Sequence, residues 1–213
     1  MAAPAGLLGA RPGKLPAGRS IFELDGEVLV NGRRANRDTL LAAGDLIETG
    51  SNGRLVGVVG QDALILRPQS RLELGAAGRG ARSLFRLVQG AMLSVFGPRD
   101  AEYRVSTPVA TIGIRGTGLY LEAEAERSYV CLCYGKAYVT PNGAPTQAFE
   151  AVSQHHDMPK YILPEARDGS AVQAAPFINH SDLELMTLEA LVGRQVPFAV
   201  ADDPYQAPRR KDY

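Results

Sequence analysis

Apolar and polar positions alternate with a period of two along most of this chain, the spacing of strands that bury one face. "GEVLVNG" (Gly26 to Gly32) sets Val28 and Val30 on one face and closes on Asn31-Gly32, a dipeptide suited to tight turns. "AAGDLIETGSNGRLVGVVGQDALILRPQSRLEL" predicts three or four more strands, split at Gly44-Asp45, Asn52-Gly53, Gln61-Asp62 and Pro68-Gln69. "SLFRLVQGAMLSVFG", "YRVSTPVATIGIRGTGLYLEAEA" and "SYVCLCYGKAYVTPNG" continue the rhythm. No helical period is sustained from Ile21 to Gly143; the nearest, "TLLAAGDLI", begins a turn at Leu40 and Leu41 that Gly44 stops.

A glycine followed by alternating apolar residues recurs at Gly26, Gly53, Gly90, Gly118 and Gly135 with unequal spacing. This weak repeat predicts an all-β fold, an irregular β-solenoid or rolled sandwich of short strands, rather than a strict solenoid. After Gly143 the pattern becomes mixed and turn-rich, and Pro145, Pro159, Pro164 and Pro176 forbid a long helix. "SDLELMTLEALVG" then predicts one short helix over 181–193. Ser181 and Glu184 form a capping box, Asp182 complements the helix N-terminus, and Gly193 stands at the C-cap. Leu185, Leu188, Leu191 and Val192 give the helix an apolar face to lay on the β-body. The chain therefore divides into a flexible leader (1–20), a β-domain (21–143), a C-terminal extension carrying the helix (144–200) and a disordered tail (201–213).

Composition narrows the functions. With 23 Lys plus Arg against 23 Asp plus Glu the formal charge is zero, which gives no electrostatic reason for a nucleic-acid partner or an anionic membrane. No apolar run reaches the ~18 residues of a membrane span. The first residues lack the basic start and continuous apolar stretch of a signal peptide. At 213 residues the chain can bury a core without disulfides or metal. No nucleophile elbow, zinc-protease, phosphate-loop or dinucleotide motif is present, so the expectation is a protein that is not an enzyme.

Gly26-x-Val28, Gly44-Asp45-x-Ile47-x-Thr49-Gly50, Pro68-x-Ser70-x-Leu72, Thr107-Pro108 and Ile114-Arg115-Gly116-Thr117 together resemble the FecR domain, the β-rich module of ferric-citrate-type regulators, over residues 21–140. The resemblance implies a twisted, solenoid-like all-β module, periplasmic or associated with the cell envelope, that signals through contacts with a protein or an envelope component. The sequence shows neither the helical segment that would hold a sigma factor nor a membrane helix, so the expectation is a binding module rather than a complete regulator. With no signal peptide visible, a cytoplasmic location stays open. Within the motif, Gly113 and Gly116 suit positive φ or close strand approach, Arg115 suits a brace to a carboxylate or backbone carbonyl, and Thr117 suits a cap. Asp45 and Asp62 read as turn formers. Glu122, Glu124 and Glu126 alternate and read as a polar face turned to solvent.

Both cysteines, Cys131 and Cys133, lie in one predicted strand and share a face; all three histidines, His155, His156 and His180, follow within 50 residues. Two thiolates and two imidazoles make the Cys₂His₂ set that suits one zinc or iron ion. The predicted set is Cys131, Cys133, His156 and His180, with His155 as substitute and Asp157 as an oxygen donor to the ion or to a ligating imidazole. This set is the alternative to a plainer and preferred reading, in which the cysteines are small apolar core residues, the paired histidines a surface feature and His180 part of its helix cap. A disulfide between the cysteines is disfavoured, because residues two apart in a strand sit at the ~6.8 Å limit of its Cα separation.

Overall fold

Among the described residues the alternating segments become fifteen strands, and the capped segment becomes one α-helix. The structure, a computed structural model, describes residues 12–75, 83–157 and 159–199; the expected tail (201–213) and the first eleven residues of the expected leader lie outside them. The strands are β1 (Ile21–Asp25), β2 (Val28–Val30), β3 (Arg33–Arg34), β4 (Leu46–Thr49), β5 (Arg54–Val59), β6 (Asp62–Leu66), β7 (Arg71–Leu74), β8 (Ser83–Val95), β9 (Tyr103–Ser106) and β10 (Ala110–Ile114). They continue as β11 (Gly118–Ala123), β12 (Ser128–Pro141), β13 (Phe149–Ser153), β14 (Lys160–Arg167) and β15 (Ser170–Ala174), before the helix α1 (Asp182–Leu191).

Pairing corrects the expected solenoid to a closed barrel. β8 pairs β11, β11 pairs β12, β12 pairs β10, β10 pairs β9, and β9 returns to β8 in parallel, a ring of five strands. The remaining strands extend this ring: β7, β4, β2 and β3 on one side of β8, β6, β5 and β1 on another, and β13, β14 and β15 beside β12. Two long strands make closure possible by bending from one sheet to the other. β8 pairs β7 and β9 up to Gln89, then β6 and β11 from Gly90; β12 pairs β11 and β14 up to Tyr134, then β10 and β13 from Gly135. Gly90 and Gly135 have φ of 86° and 95°, and a Cβ on Gly90 would lie 2.1 Å from the Ser70 hydroxyl. Only glycine turns these corners without strain. Two of the five repeated glycines are thus barrel corners rather than hairpin starts.

The pleat sorts side chains into two cores. Val130 and Leu132 of β12 point inward with Leu55, Leu66, Leu87, Leu119 and Leu121. Tyr129, Cys131 and Cys133 point to the outer face with Val56, Ile65, Leu93 and Tyr120, where Leu185, Leu188 and Leu191 of α1 cover them. Each such leucine contributes about 1.5–3 kcal/mol by leaving water. The helix has the expected cap: Ser181 Oγ accepts from the Glu184 N–H, and the Glu184 carboxylate accepts from the Ser181 N–H at 3.1 Å. Gly193 follows at φ 75°.

The extension departs from its turn-rich expectation by supplying β13, β14 and β15; Asp168 and Gly169, both at positive φ, make the turn between the last two. Leu15, within the expected leader, donates its N–H to the Leu191 carbonyl at 2.9 Å and packs on the outer core. The expected solvent face of alternating glutamates is also corrected. Glu122 is fully buried, taking hydrogen bonds from Tyr120 Oη at 2.8 Å and Asn179 Nδ2 at 2.5 Å, because the extension covers this face; Glu124 pairs with Arg127, and Glu126 is exposed. Asp62 is no turn former either: it is buried against Arg99 at 2.5 Å and accepts the Gly97 N–H.

Candidate metal centre

Three segments converge on the outer face of β12. The strand itself presents Cys131 and Cys133, two residues apart and both fully buried. The β12–β13 hairpin then returns the chain, and just beyond Ser153 the loop turns back so that His156 donates its N–H to the Cys133 carbonyl at 2.8 Å. His156 adopts φ 55°, a left-handed conformation uncommon for a non-glycine residue, and this folds its ring toward the cysteines rather than to solvent. His180 arrives from the other side, one residue before the N-cap of α1.

Its position is set by a buried ion pair. Arg67, just after β6, makes a bidentate contact with Glu184, 2.7 and 2.9 Å, and donates to the Asn179 carbonyl at 2.9 Å. Burial opposes its charge, but the Glu184 carboxylate outweighs that and holds the Arg67 guanidinium above its usual value. The capping carboxylate of α1 is therefore also its tether to the barrel, and the residue before His180 is held by the same guanidinium.

The ligand atoms of Cys131, Cys133, His156 and His180 all lie within 4.8 Å of one another. His156 Nδ1 is 3.1 Å from His180 Nε2 and 3.9 Å from Cys131 Sγ. Tetrahedral zinc with the usual Zn–S and Zn–N bonds places such donors about 3.4–3.8 Å apart. Hydrogen bonds fix both rings in the tautomer that such a site needs. His180 Nδ1 faces the Ile178 carbonyl at 2.7 Å, which can only accept, so the proton sits on Nδ1 and the Nε2 lone pair points inward. His156 Nε2 donates to Asp182 Oδ1 at 2.9 Å, leaving the Nδ1 lone pair inward as well. In neutral rings two lone pairs thus face each other at 3.1 Å, an arrangement that calls for a cation or a shared proton.

The thiols point the same way. Burial works against ionisation of Cys131, yet the hydrogen bond with Cys133 and the His156 and His180 rings beside it outweigh that and hold this thiol well below its ordinary value. Burial, then the hydrogen bond and charge of Cys131, push the Cys133 thiol well above. A positive charge placed between the two sulfurs would favour the thiolate form of both. Aromatic rings keep water out: Tyr120 stacks on His180 at 4.4 Å between centroids, and Phe177 packs on both His180 and His156.

Of the residues singled out in the sequence, Cys131, Cys133, His156 and His180 come together; His155 does not join them. It turns outward, half-exposed, with Nε2 on Asp182 Oδ1 at 2.8 Å. Asp157, expected as an oxygen donor, instead closes its own loop, accepting from the Gln154 N–H at 2.9 Å and from Ser153. The backbone bond from Gln154, opposed by slight burial, lowers its carboxyl below the ordinary value. The acid at the centre is Asp182, which the sequence offered only as a helix N-terminal charge.

The motif residues lie elsewhere. Arg115 is exposed beside Glu102, Lys136, Tyr138 and Glu150 and has no hydrogen bond or ion pair among the described residues, so the expected brace is not made. Gly116 has φ 85°, and the Cβ position of Gly113 is filled by Glu102, as positive φ and close approach require. Thr117 makes no side-chain cap; its hydroxyl is buried without a partner among the described residues. Asp45 is a turn former, accepting from the Ala42 N–H and Asn31 Nδ2, both at 2.8 Å.

Residues 45–138 match the FecR protein family, in agreement with the resemblance read from the motifs. No curated protein matches the chain. Among solved structures, two crystal structures of a candidate anti-sigma factor from Parabacteroides distasonis, at 1.65 and 2.50 Å resolution, are similar at 11% identity with a TM-score of 0.49. The similarity covers 61% of this chain and 58% of that one. The matched segment contains both cysteines, whereas His156 and His180 lie beyond it.

Proposed function

We propose that this FecR-type β-domain with its extension is a metal-binding regulatory module, holding one zinc or iron ion between Cys131, Cys133, His156 and His180. The observation that carries the reading is the convergence of two imidazole lone pairs, each fixed by a hydrogen bond on the opposite ring nitrogen, with two buried sulfurs within 4.8 Å. All four donors come from the protein and all are buried, which suits a closed structural site rather than one that keeps a position for substrate. The reading is accordingly non-enzymatic. The ion would tie three segments distant in sequence: strand β12, the loop after β13 and the approach to α1.

The FecR match supports a sensory or regulatory role for the β-domain, exerted on a protein partner or a cell-envelope component outside the cytoplasmic membrane. Among the described residues no helix is long and apolar enough to cross a membrane. Elemental analysis of protein purified without chelator and without a histidine tag tests the metal. Close to one zinc or iron per chain is expected, lost in the Cys131→Ser/Cys133→Ser variant; folded wild-type protein free of metal after incubation with either ion would refute the proposal.

A further inference from the structure

A closed site poses a problem of access. Cys131 and Cys133 are 0% exposed, His180 1% and His156 9%, so no inner ligand meets solvent freely. One neighbouring ligand does. The His155 side chain is 39% exposed, and its Nε2 shares Asp182 Oδ1 with His156 Nε2 at 2.8 and 2.9 Å. The ligand atoms of His155, His156 and Asp182 form a second set within 4.8 Å of one another. His156 belongs to both sets, with Nδ1 facing the inner one and Nε2 the outer one.

We propose that His155 and Asp182, with His156 Nε2, form an outer docking site through which a divalent ion reaches the buried centre. The inference rests on the reading of Cys131, Cys133, His156 and His180 as the resident site. The outer set offers imidazole and carboxylate, which accept a partly hydrated ion; the inner set adds thiolates, which bind a borderline-soft ion more tightly, so transfer inward runs downhill. His156 is the pivot. With the ion outside, His155 gives up its Nε2 proton to solvent and takes one on its other ring nitrogen, while the His156 proton moves to Nδ1 and is donated to His180 Nε2, 3.1 Å away; with the ion inside, both rings carry their protons on Nε2 again and donate them to Asp182. Each position leaves the opposite nitrogen with a partner. The thiol protons of the two cysteines and the remaining waters of the ion pass to solvent as the inner shell closes. Phe198 packs against one side of the His155 ring, 4.4 Å between centroids, and the side chain keeps its 39% exposure.

The test compares cobalt(II) loading of full-length, metal-freed wild type with His155→Ala and His155→Gln. Glutamine keeps an N–H for Asp182 but offers no imidazole, so it separates a ligand from a brace. Stopped-flow growth of the thiolate-to-cobalt absorption reports loading, a competing chelator reports release, and circular dichroism checks folding. Both variants should load and release about tenfold more slowly, the scale on which outer partners of a metal site act, with equilibrium affinity unchanged. Wild-type loading rates in the variants, or lost affinity from faster release alone, would overturn the docking site while leaving the resident site standing. Wild type that develops no thiolate-to-cobalt band would instead remove the resident site, and the docking site with it.

Discussion

Replacing Arg67 by Ala is expected to lower the unfolding free energy by about 3–5 kcal/mol, the usual cost of removing one partner of a buried ion pair. Arg67 and Glu184 are 4% and 5% exposed, so the carboxylate left behind has no water to turn to. The Asn179 carbonyl loses its donor in the same change. Urea unfolding should show the loss as a lower midpoint with little change in slope, since the surface exposed on unfolding is nearly the same. An Arg67→Met/Glu184→Met double variant should recover much of it, because no charge is then stranded. A single-variant cost below about 1 kcal/mol, the range of surface pairs, would mean that this pair does not hold α1 to the barrel.

Saturation with zinc should add about 4 kcal/mol of stability at a free concentration near a thousand times the dissociation constant. Ligands from three segments converge only in the folded chain, so binding to the native state feeds directly into folding. The gain should vanish in Cys131→Ser/Cys133→Ser, and a chelator should reverse it in wild type. Equal thermal midpoints with zinc and with chelator would place the ion outside the folding equilibrium and contradict a structural centre.

Local pattern carried much of this molecule. The period of two placed Cys131 and Cys133 on one face, Ser181, Glu184 and Gly193 marked the helix ends, and the motifs pointed to the FecR match. The barrel was not legible, because closure depends on the parallel pairing of β8 with β9 and on Gly90 and Gly135 bending strands already formed. Alternation shows that Tyr120 and Glu122 share a face but not what covers it. Here the extension covers it, which is why a glutamate expected in water is buried. The histidines were legible as a set and ambiguous as individuals, since the choice between His155 and His156 rests on the left-handed turn at His156. Asp182 carried a signal in "HSD", an acid two residues after His180, but its helix N-terminal position already explained it. Asp168-Gly169, flanked by alternating residues, was a hairpin signal that the prolines around it obscured.

X-ray absorption at the metal edge tests the central claim most directly. The account predicts two sulfur neighbours at about 2.3 Å and two nitrogen neighbours at about 2.0–2.1 Å on a tetrahedral zinc ion. A coordination sphere of oxygen and nitrogen alone, or one containing a single sulfur, would contradict it.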